Sequence, residues 1–197
     1  TYAGEVYCWG ANSRGQLGLG DDSQRLEPTS LGLNNMVQLV SGGYHSCALS
    51  ASGELMCWGA NRHGELVVAT TSTNSLSPLL SVSSDTIQIH SLFAGNGHTC
   101  LIDNEREIFC SGRYDFGQLG IGDQQPAEDQ PRFLRTGVAG SHMGRSSRGQ
   151  TTLAVRLEPS FWVWGNNRDA QLGFGSVDEL RAPKCLALEG QVCPVSP

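Results

Sequence analysis

Charge is scarce in this 197-residue chain: 13 Lys and Arg stand against 19 Asp and Glu, together 16% of the residues, for a formal net charge of −6. Nucleic-acid binding needs clustered cations to neutralise phosphates, so no nucleic-acid partner is expected. No run of about 18 apolar residues occurs, so membrane insertion is not expected either. The opening residues, Thr1-Tyr2-Ala3-Gly4-Glu5, lack a basic stretch leading into an apolar one, and any secretion signal is expected to have been removed or never present. No window sustains apolar residues at i, i+3, i+4 and i+7, which excludes a fold of amphipathic helices. Only glycine is in excess, at 25 residues, about twice ordinary usage. The length fits one domain, 1–197, with a turn-rich, all-β composition.

The chain repeats itself. Val6-Tyr7-Cys8-Trp9-Gly10, Leu55-Met56-Cys57-Trp58-Gly59, Ile108-Phe109-Cys110-Ser111-Gly112 and Trp162-Val163-Trp164-Gly165 are related, at spacings of 49, 53 and 53 residues. Six residues after each Trp or Ser comes a second shared piece: Gly15-Gln16-Leu17-Gly18, Gly64-Glu65-Leu66-Val67, Gly117-Gln118-Leu119-Gly120 and Ala170-Gln171-Leu172-Gly173. A third lies upstream, as Gly43 to Leu49, Gly97 to Ile102 and Gly149 to Ala154. A period near 50 residues means a solenoid, propeller or array. Short apolar runs such as Val37 to Val40, Cys47 to Leu49 and Leu55 to Trp58 are bounded by Gly, Ser and Asn, and the turn Ser50-Ala51-Ser52-Gly53 between two of them reads as a hairpin. Each unit is therefore a small antiparallel sheet. It cannot bury both faces alone, and stacking such sheets around an axis gives a β-propeller, here of about four four-stranded blades.

With His-x-Cys-Ala-Leu, a hairpin, Glu-Leu-Met-Cys-Trp-Gly-Ala-Asn, then Gly-Gln-Leu-Gly-Leu-Gly-Asp and a later Pro, the chain resembles the regulator of chromosome condensation repeat family over nearly its whole length. Ser111 in place of a Trp, Val67 in place of a Gly, and Arg145 to Arg148 in a small insertion are departures. The resemblance implies guanine nucleotide exchange on a small GTPase as one activity, although that activity resembles a feature of full seven-bladed members with an inserted wedge, for which the repeat spacings leave no obvious room.

The repeated residues read as scaffold. Trp9, Trp58 and Trp164 are expected to pack between blades, and Gly15, Gly18, Gly117, Gly120 and Gly173 to allow tight turns; the Gly-Gln-Leu-Gly pieces lack the Lys of a phosphate loop. His45 and His98 lie two residues before Cys47 and Cys100, which puts each pair on one strand face. Zinc needs four ligands and a catalytic thiol needs a base and an orienting group, so the histidines are expected to be hydrogen-bonded inside the scaffold. The acidic pairs Asp21-Asp22 and Asp178-Glu179, the set a polysaccharide hydrolase would draw on, fit solvated turns better. No catalytic residue, cofactor or metal site is expected. Four tryptophans, three at repeat positions and Trp162 beside Trp164, do not make a light-sensing cluster.

Seven cysteines carry the most informative chemistry. Cys47 and Cys57 lie ten apart across a hairpin, as do Cys100 and Cys110, while Thr152 and Val163 are read at those positions in the fourth unit. Paired presence and paired absence predict cross-strand disulfides, each closing about eleven residues and contributing somewhat less than ~3 kcal/mol. Such bonds persist in oxidising compartments, so an extracellular or lumenal location is expected over a cytoplasmic or nuclear one. Gly190 to Val195 aligns with Gly149 to Ala154, placing Cys193 at the same position and predicting either Cys8–Cys193, which would close a ring, or the local pair Cys185–Cys193.

About four units make either a small closed ring or part of a larger one, and an open arc exposes strand edges, so self-association or completion by additional blades is expected. The resulting reading is a non-catalytic module presenting loops to a protein partner, with Asn61 to Ser77 and Asp123 to Gln130 as the contact loops.

Overall fold

The computed structural model describes residues 3–68, 72–83, 85–123, 132–146, 149–156, 160–186 and 193. Strands β1 (Tyr7–Gly10) and β2 (Arg25–Ser30) form a two-stranded sheet. Strands β3 (Met36–Ser41), β4 (His45–Ser50), β5 (Leu55–Ala60) and β6 (Asn74–Val82) form a four-stranded antiparallel sheet in chain order. Two more follow: β7 (Ile89–Gly95), β8 (His98–Asp103), β9 (Ile108–Gly112) and β10 (Leu134–Arg135), then β11 (Ser141–Ser146), β12 (Thr151–Arg156), β13 (Phe161–Gly165) and β14 (Leu180–Leu186). No helix occurs among the described residues.

The architecture is the expected propeller, with one difference. The first unit has two strands, and because Trp9 on β1 matches Trp58 on β5, they correspond to the outer pair of a blade; its inner pair is not among the described residues. Arg145 and Ser146 belong to β11, paired with Leu153 and Thr152 on β12, so this half of the expected insertion is strand, and Ser147 and Arg148 lie outside the described residues. Asn74 to Ser77 likewise starts β6 instead of extending a loop.

The cores lie between blades. Leu49, Leu55 and Leu66 of the second unit pack with Leu92 and Leu101 of the third; Phe93, Ile102, Ile108 and Leu119 of the third pack with Ala154, Trp162 and Trp164 of the fourth. Strand alternation explains this, since neighbouring residues on a strand face opposite sides. On β5, Cys57 therefore faces forward to the third blade and Trp58 faces back to the first unit. The inner strands β3, β7 and β11 stand side by side. Gln38 on β3 clamps β7, its Nε2 donating to Leu92 O and its Oε1 accepting from Leu92 N, each at 2.9 Å.

In the second, third and fourth units the glycine of the Trp-Gly or Ser-Gly step is required by close approach, whereas Gly10 has open space around it. At Gly59, Gly112 and Gly165 the backbone has φ of 98°, 111° and 104°, and a Cβ would stand 2.4, 2.5 and 2.2 Å from the carbonyl oxygens of Tyr44, Gly97 and Gln150. Those oxygens belong to turns between the first and second strands, which brings these turns and the loops between third and fourth strands to one end of the molecule. Ala60 N, Arg113 N and Asn166 N donate to the same three oxygens.

Candidate interaction surface

The loop after the third strand has one construction in the first, second and fourth units. Asn12, Asn61 and Asn167 are buried, and each Oδ1 accepts from the amide five residues on, Leu17, Leu66 and Leu172, at 2.9, 3.1 and 2.9 Å. Their Nδ2 groups hold the returning chain, at Asp21 O, Ser72 O and Ser176 O. Tyr114 takes this place in the third unit. In all four units the Gln or Glu side chain accepts from the amide two residues earlier: Gln16 from Arg14, Glu65 from His63, Gln118 from Phe116 and Gln171 from Asp169. Sequence reasoning missed the asparagines as loop-builders, although Gly-Ala-Asn, Gly-Ala-Asn and Gly-Asn-Asn stand in register after the tryptophans.

The loops of the first three units are each gripped by the following blade. Gln16 O accepts from Trp58 Nε1 at 2.9 Å and Ser46 Oγ at 3.0 Å. Gln118 O accepts from Trp164 Nε1 and Thr152 Oγ1, both at 2.9 Å. In the second unit Thr99 Oγ1 donates to Glu65 O and Ser111 Oγ to Gly64 O, so Ser111 keeps a bond across the interface without the indole. Trp58 and Trp164 are fully buried, as expected, whereas Trp9 is 59% exposed. The expectation for Trp9 is corrected for a simple reason: it faces back, and no described residue of this chain offers it a preceding loop.

The histidines belong to the same seams. His45 Nε2 lies 2.8 Å from Thr99 Oγ1, and His98 Nε2 lies 3.1 Å from Thr152 Oγ1. Each threonine hydroxyl already gives its proton to a loop carbonyl, so it accepts here and both histidines carry the proton on Nε2. Burial pushes His45 down to about 4, and burial together with the nearby His45 pushes His98 to about 3. Both are neutral spacers between blades.

Cys47 is bonded to Cys57 and Cys100 to Cys110, directly opposite residues on adjacent strands with Cα atoms 4.1 Å apart. In the fourth unit Leu153, not Thr152, pairs with Val163, so the equivalent couple is Leu153 and Val163. This shift moves the alignment of Gly190 to Val195 as well and takes Cys193 off the cysteine position. Cys193 is bonded to Cys185, the local alternative, and Cys8 is unpaired, so the ring-closing bond is corrected. The segment expected to close the ring lies, Cys193 apart, outside the described residues. Partial burial raises the Cys8 thiol above its ordinary range, which disfavours the nucleophilic thiolate.

One member of each acidic pair does structural work. Asp21 caps its own turn, accepting from Ser23 N at 2.9 Å and pairing with Arg25 at 2.6 Å, and those bonds hold its carboxyl below the usual range. Glu179 pairs with Arg168 at 3.5 Å. Asp103, Glu105 and Glu107 gather at a hairpin, where Asp103 Oδ1 accepts from Glu107 N and Glu107 pairs with Arg135.

What remains prominent at the loop end is an arginine–aromatic cluster bridging the third and fourth units. Phe116 has the Arg113 guanidinium 5.4 Å from its ring centre and that of Arg168 at 4.7 Å. Asp115 orients Arg113 through Nε and Nη2, at 2.6 to 2.9 Å. Burial raises the Asp115 carboxyl, and its bonds to Arg113 and Gln118 outweigh that and leave it below its ordinary value. Arg14 and Arg62 occupy the corresponding loops of the first two units and are exposed. Of the two contact loops expected, Asn61 to Ser77 supplies Arg62 and His63 here, and Asp123 to Gln130 lies beyond Asp123 outside the described residues.

Models of the regulator of chromosome condensation repeat match residues 3–49 and 36–65. The chain is 30% identical over 182 residues to the ultraviolet-B receptor UVR8 of Arabidopsis thaliana, covering 89% of this chain and 40% of that protein. It superposes on the crystal structure of human WBSCR16 with a TM-score of 0.83 and 26% identity, over 96% of this chain and 50% of that one. Yeast RCC1 (Prp20), solved bound to Kap60, gives a TM-score of 0.83 at 22% identity, over 94% of this chain and 45% of that one. The chain thus spans half or less of each of these three proteins.

Proposed function

The chain carries repeats of the regulator of chromosome condensation family, and from that premise we propose that it is a non-catalytic interaction module that presents the loop end of its propeller to a protein partner in an oxidising compartment. The observation that carries this reading is the cluster of Arg113, Phe116 and Arg168. It joins loops of two blades, and arginine and aromatic side chains are the residue types that most often dominate protein interfaces. The polar groups around it are engaged in holding the loops, which suits a preformed surface better than a reacting centre.

The test is partner capture by crosslinking from the native source, comparing the unaltered chain with Phe116→Ala and Arg168→Ala. Phe116 is partly buried at the surface and Arg168 is exposed, so circular dichroism is expected to be unchanged while the specific crosslink drops about tenfold or more. A crosslink insensitive to both substitutions would refute the surface. Acceleration of nucleotide release from a small GTPase would refute the non-catalytic reading.

The compartment has its own check. Cys8 is the unpaired cysteine of seven, so protein isolated without reductant is expected to take one alkyl group, and all seven only after reduction. Seven without reduction would place the chain in a reducing compartment.

A further inference from the structure

We propose that the third unit's loop binds a primary carboxamide, in a cavity of about 290 Å³ lined by Tyr114, Leu119, Ile121, Asp123 and Arg181 among others. The ligand supplies there the group that an asparagine side chain supplies in the other three loops. In the first unit the carboxamide of Asn12 is a bridge: its Oδ1 accepts from Leu17 N at 2.9 Å, and its Nδ2 donates to Asp21 O at 2.8 Å and Ser23 O at 3.1 Å. Asn61 spans Leu66 N and Ser72 O in the same way, and Asn167 spans Leu172 N and Ser176 O. Tyr114, Leu119 and Asp123 stand at the positions of Asn12, Leu17 and Asp21, and all three line the cavity.

The backbone around the cavity is that of the first loop. Gly117 N donates to Tyr114 O and Gly120 N to Gly117 O, both at 2.9 Å, as Gly15 N does to Asn12 O at 2.8 Å and Gly18 N to Gly15 O at 2.9 Å. Gly122 N donates to Arg181 O at 2.9 Å, as Gly20 N does to Leu76 O at 2.8 Å. At Gly117 and Gly120 φ is 75° and 67°, against 77° and 73° at Gly15 and Gly18. With the turn conserved in shape, Leu119 N points where Leu17 N points. The Tyr114 side chain packs against the core between the third and fourth blades instead of reaching back to it. Leu119 is 1% exposed, and its N–H has no acceptor among the described residues. Buried amides are rarely left so, which marks this one as a point of recognition.

Donors and acceptors choose the ligand. Leu119 N–H takes an acceptor and Asp123 O, the counterpart of Asp21 O, takes a donor, so the complementary group carries C=O and N–H side by side. A carboxylate has no proton for Asp123 O and meets the Asp123 charge; an ammonium has nothing to offer Leu119 N–H. The cavity is larger than a carboxamide, and Tyr114 and Ile121 give the remainder an apolar wall, so the amide arrives on a flat or aliphatic stem. Free amides and the asparagine or glutamine side chain of a protein partner share this chemistry. The cavity lies in the same loop as Arg113 and Phe116 but is argued from different atoms, and it stands whether or not that cluster binds a partner.

Proton–nitrogen correlation spectra of the isotope-labelled 197-residue chain, titrated with benzamide, test this. The Leu119 amide is expected to move downfield and saturate with a Kd of about 1 mM, an ordinary affinity for so small a ligand. The amides of Leu17, Leu66 and Leu172, already bonded within their own loops, should stay in place. N,N-dimethylbenzamide keeps the acceptor and loses the donor, benzoate loses the donor and gains a charge, and each is expected to bind at least about tenfold more weakly. N-acetylglutamine methylamide separates the two sources: tighter binding than benzamide assigns the site to a partner's side chain, weaker binding to a free amide. Tyr114→Asn, which gives this loop the asparagine of the others, is expected to abolish benzamide binding and to slow exchange of Leu119 N–H by about fivefold or more. If loss of the Tyr114 packing unfolds that variant, the ligand series on the unaltered chain still decides. A Leu119 amide that neither benzamide nor the glutamine derivative moves, benzoate binding as tightly as benzamide, or undiminished benzamide binding by Tyr114→Asn would overturn the proposal.

Discussion

His45 and His98 are buried between blades with each Nε2–H given to a threonine that gives its own proton onward, to Glu65 O or Gln118 O. Protonating either ring adds a charge where there is no water to solvate it, which is why they fall from the usual 6.5 to about 4 and about 3. In the unfolded chain both titrate near 6.5. Above that pH the two states bind equal protons and stability is flat. As pH falls below it the unfolded chain gains protons that the folded chain refuses, so stability declines by about 1.4 kcal/mol per histidine per unit. The decline runs to about pH 4 for His45 and about pH 3 for His98. Denaturant unfolding measured across this window should show it, and His45→Gln, which cannot take the proton, should flatten the slope by about half between pH 6 and 4. An unchanged slope in that variant would mean that carboxylates, not the seam histidines, govern acid stability.

The blade seam is also where substitutions in different units turn out to be one event. Val67 and Ser111 each depart from the repeat, and read separately each looks like local damage. The seam couples them: glycine with indole at Gly18–Trp58 and Gly120–Trp164, valine with serine here. Val67 holds the loop's left-handed backbone at φ 56°, which costs an L-residue about 1–2 kcal/mol, and it is buried at the loop position whose glycine lies against the indole elsewhere. Ser111→Trp alone is therefore expected to destabilise by about 2 kcal/mol or more through overpacking. Val67→Gly alone should be close to neutral, because relief of the strained backbone offsets the lost burial. The double variant should recover most of the loss, giving a coupling energy of at least about 1 kcal/mol in a double-mutant cycle from denaturant curves; additive effects would show that the two sites are independent. The repeat, its strands and the cysteine couples were legible because period and spacing are properties of the chain alone. The Val67–Ser111 coupling was not, since it spans 44 positions and depends on which way β9 faces. The choice of Thr152 over Leu153 failed for a related reason. Glycine-anchored alignment ignores a residue of slack in the turn before β12, which the strand register with Val163 fixes.

At the scale of the molecule, stability is graded along the arc. The third blade is flanked on both faces, by the second and the fourth, and holds parts of both hydrophobic cores. The first unit is a two-stranded sheet joined by its turns to β3, and two-stranded sheets are marginal on their own. Beside it a groove of about 460 Å³, lined by Gly4, Val6, Tyr7, Val37 and Leu39 among others, lies open where a blade elsewhere has its inner strands. Unit stabilities in a repeat protein are roughly intrinsic terms plus interface terms, so the first unit, which has two strands among the described residues, is expected to open at the lowest free energy. Hydrogen exchange followed by mass spectrometry on dilute protein should therefore show peptides within Tyr7–Ser30 exchanging fastest, those of β8 and β9 slowest, and the fourth unit between them. Uniform exchange would mean that the blades unfold as a single cooperative body.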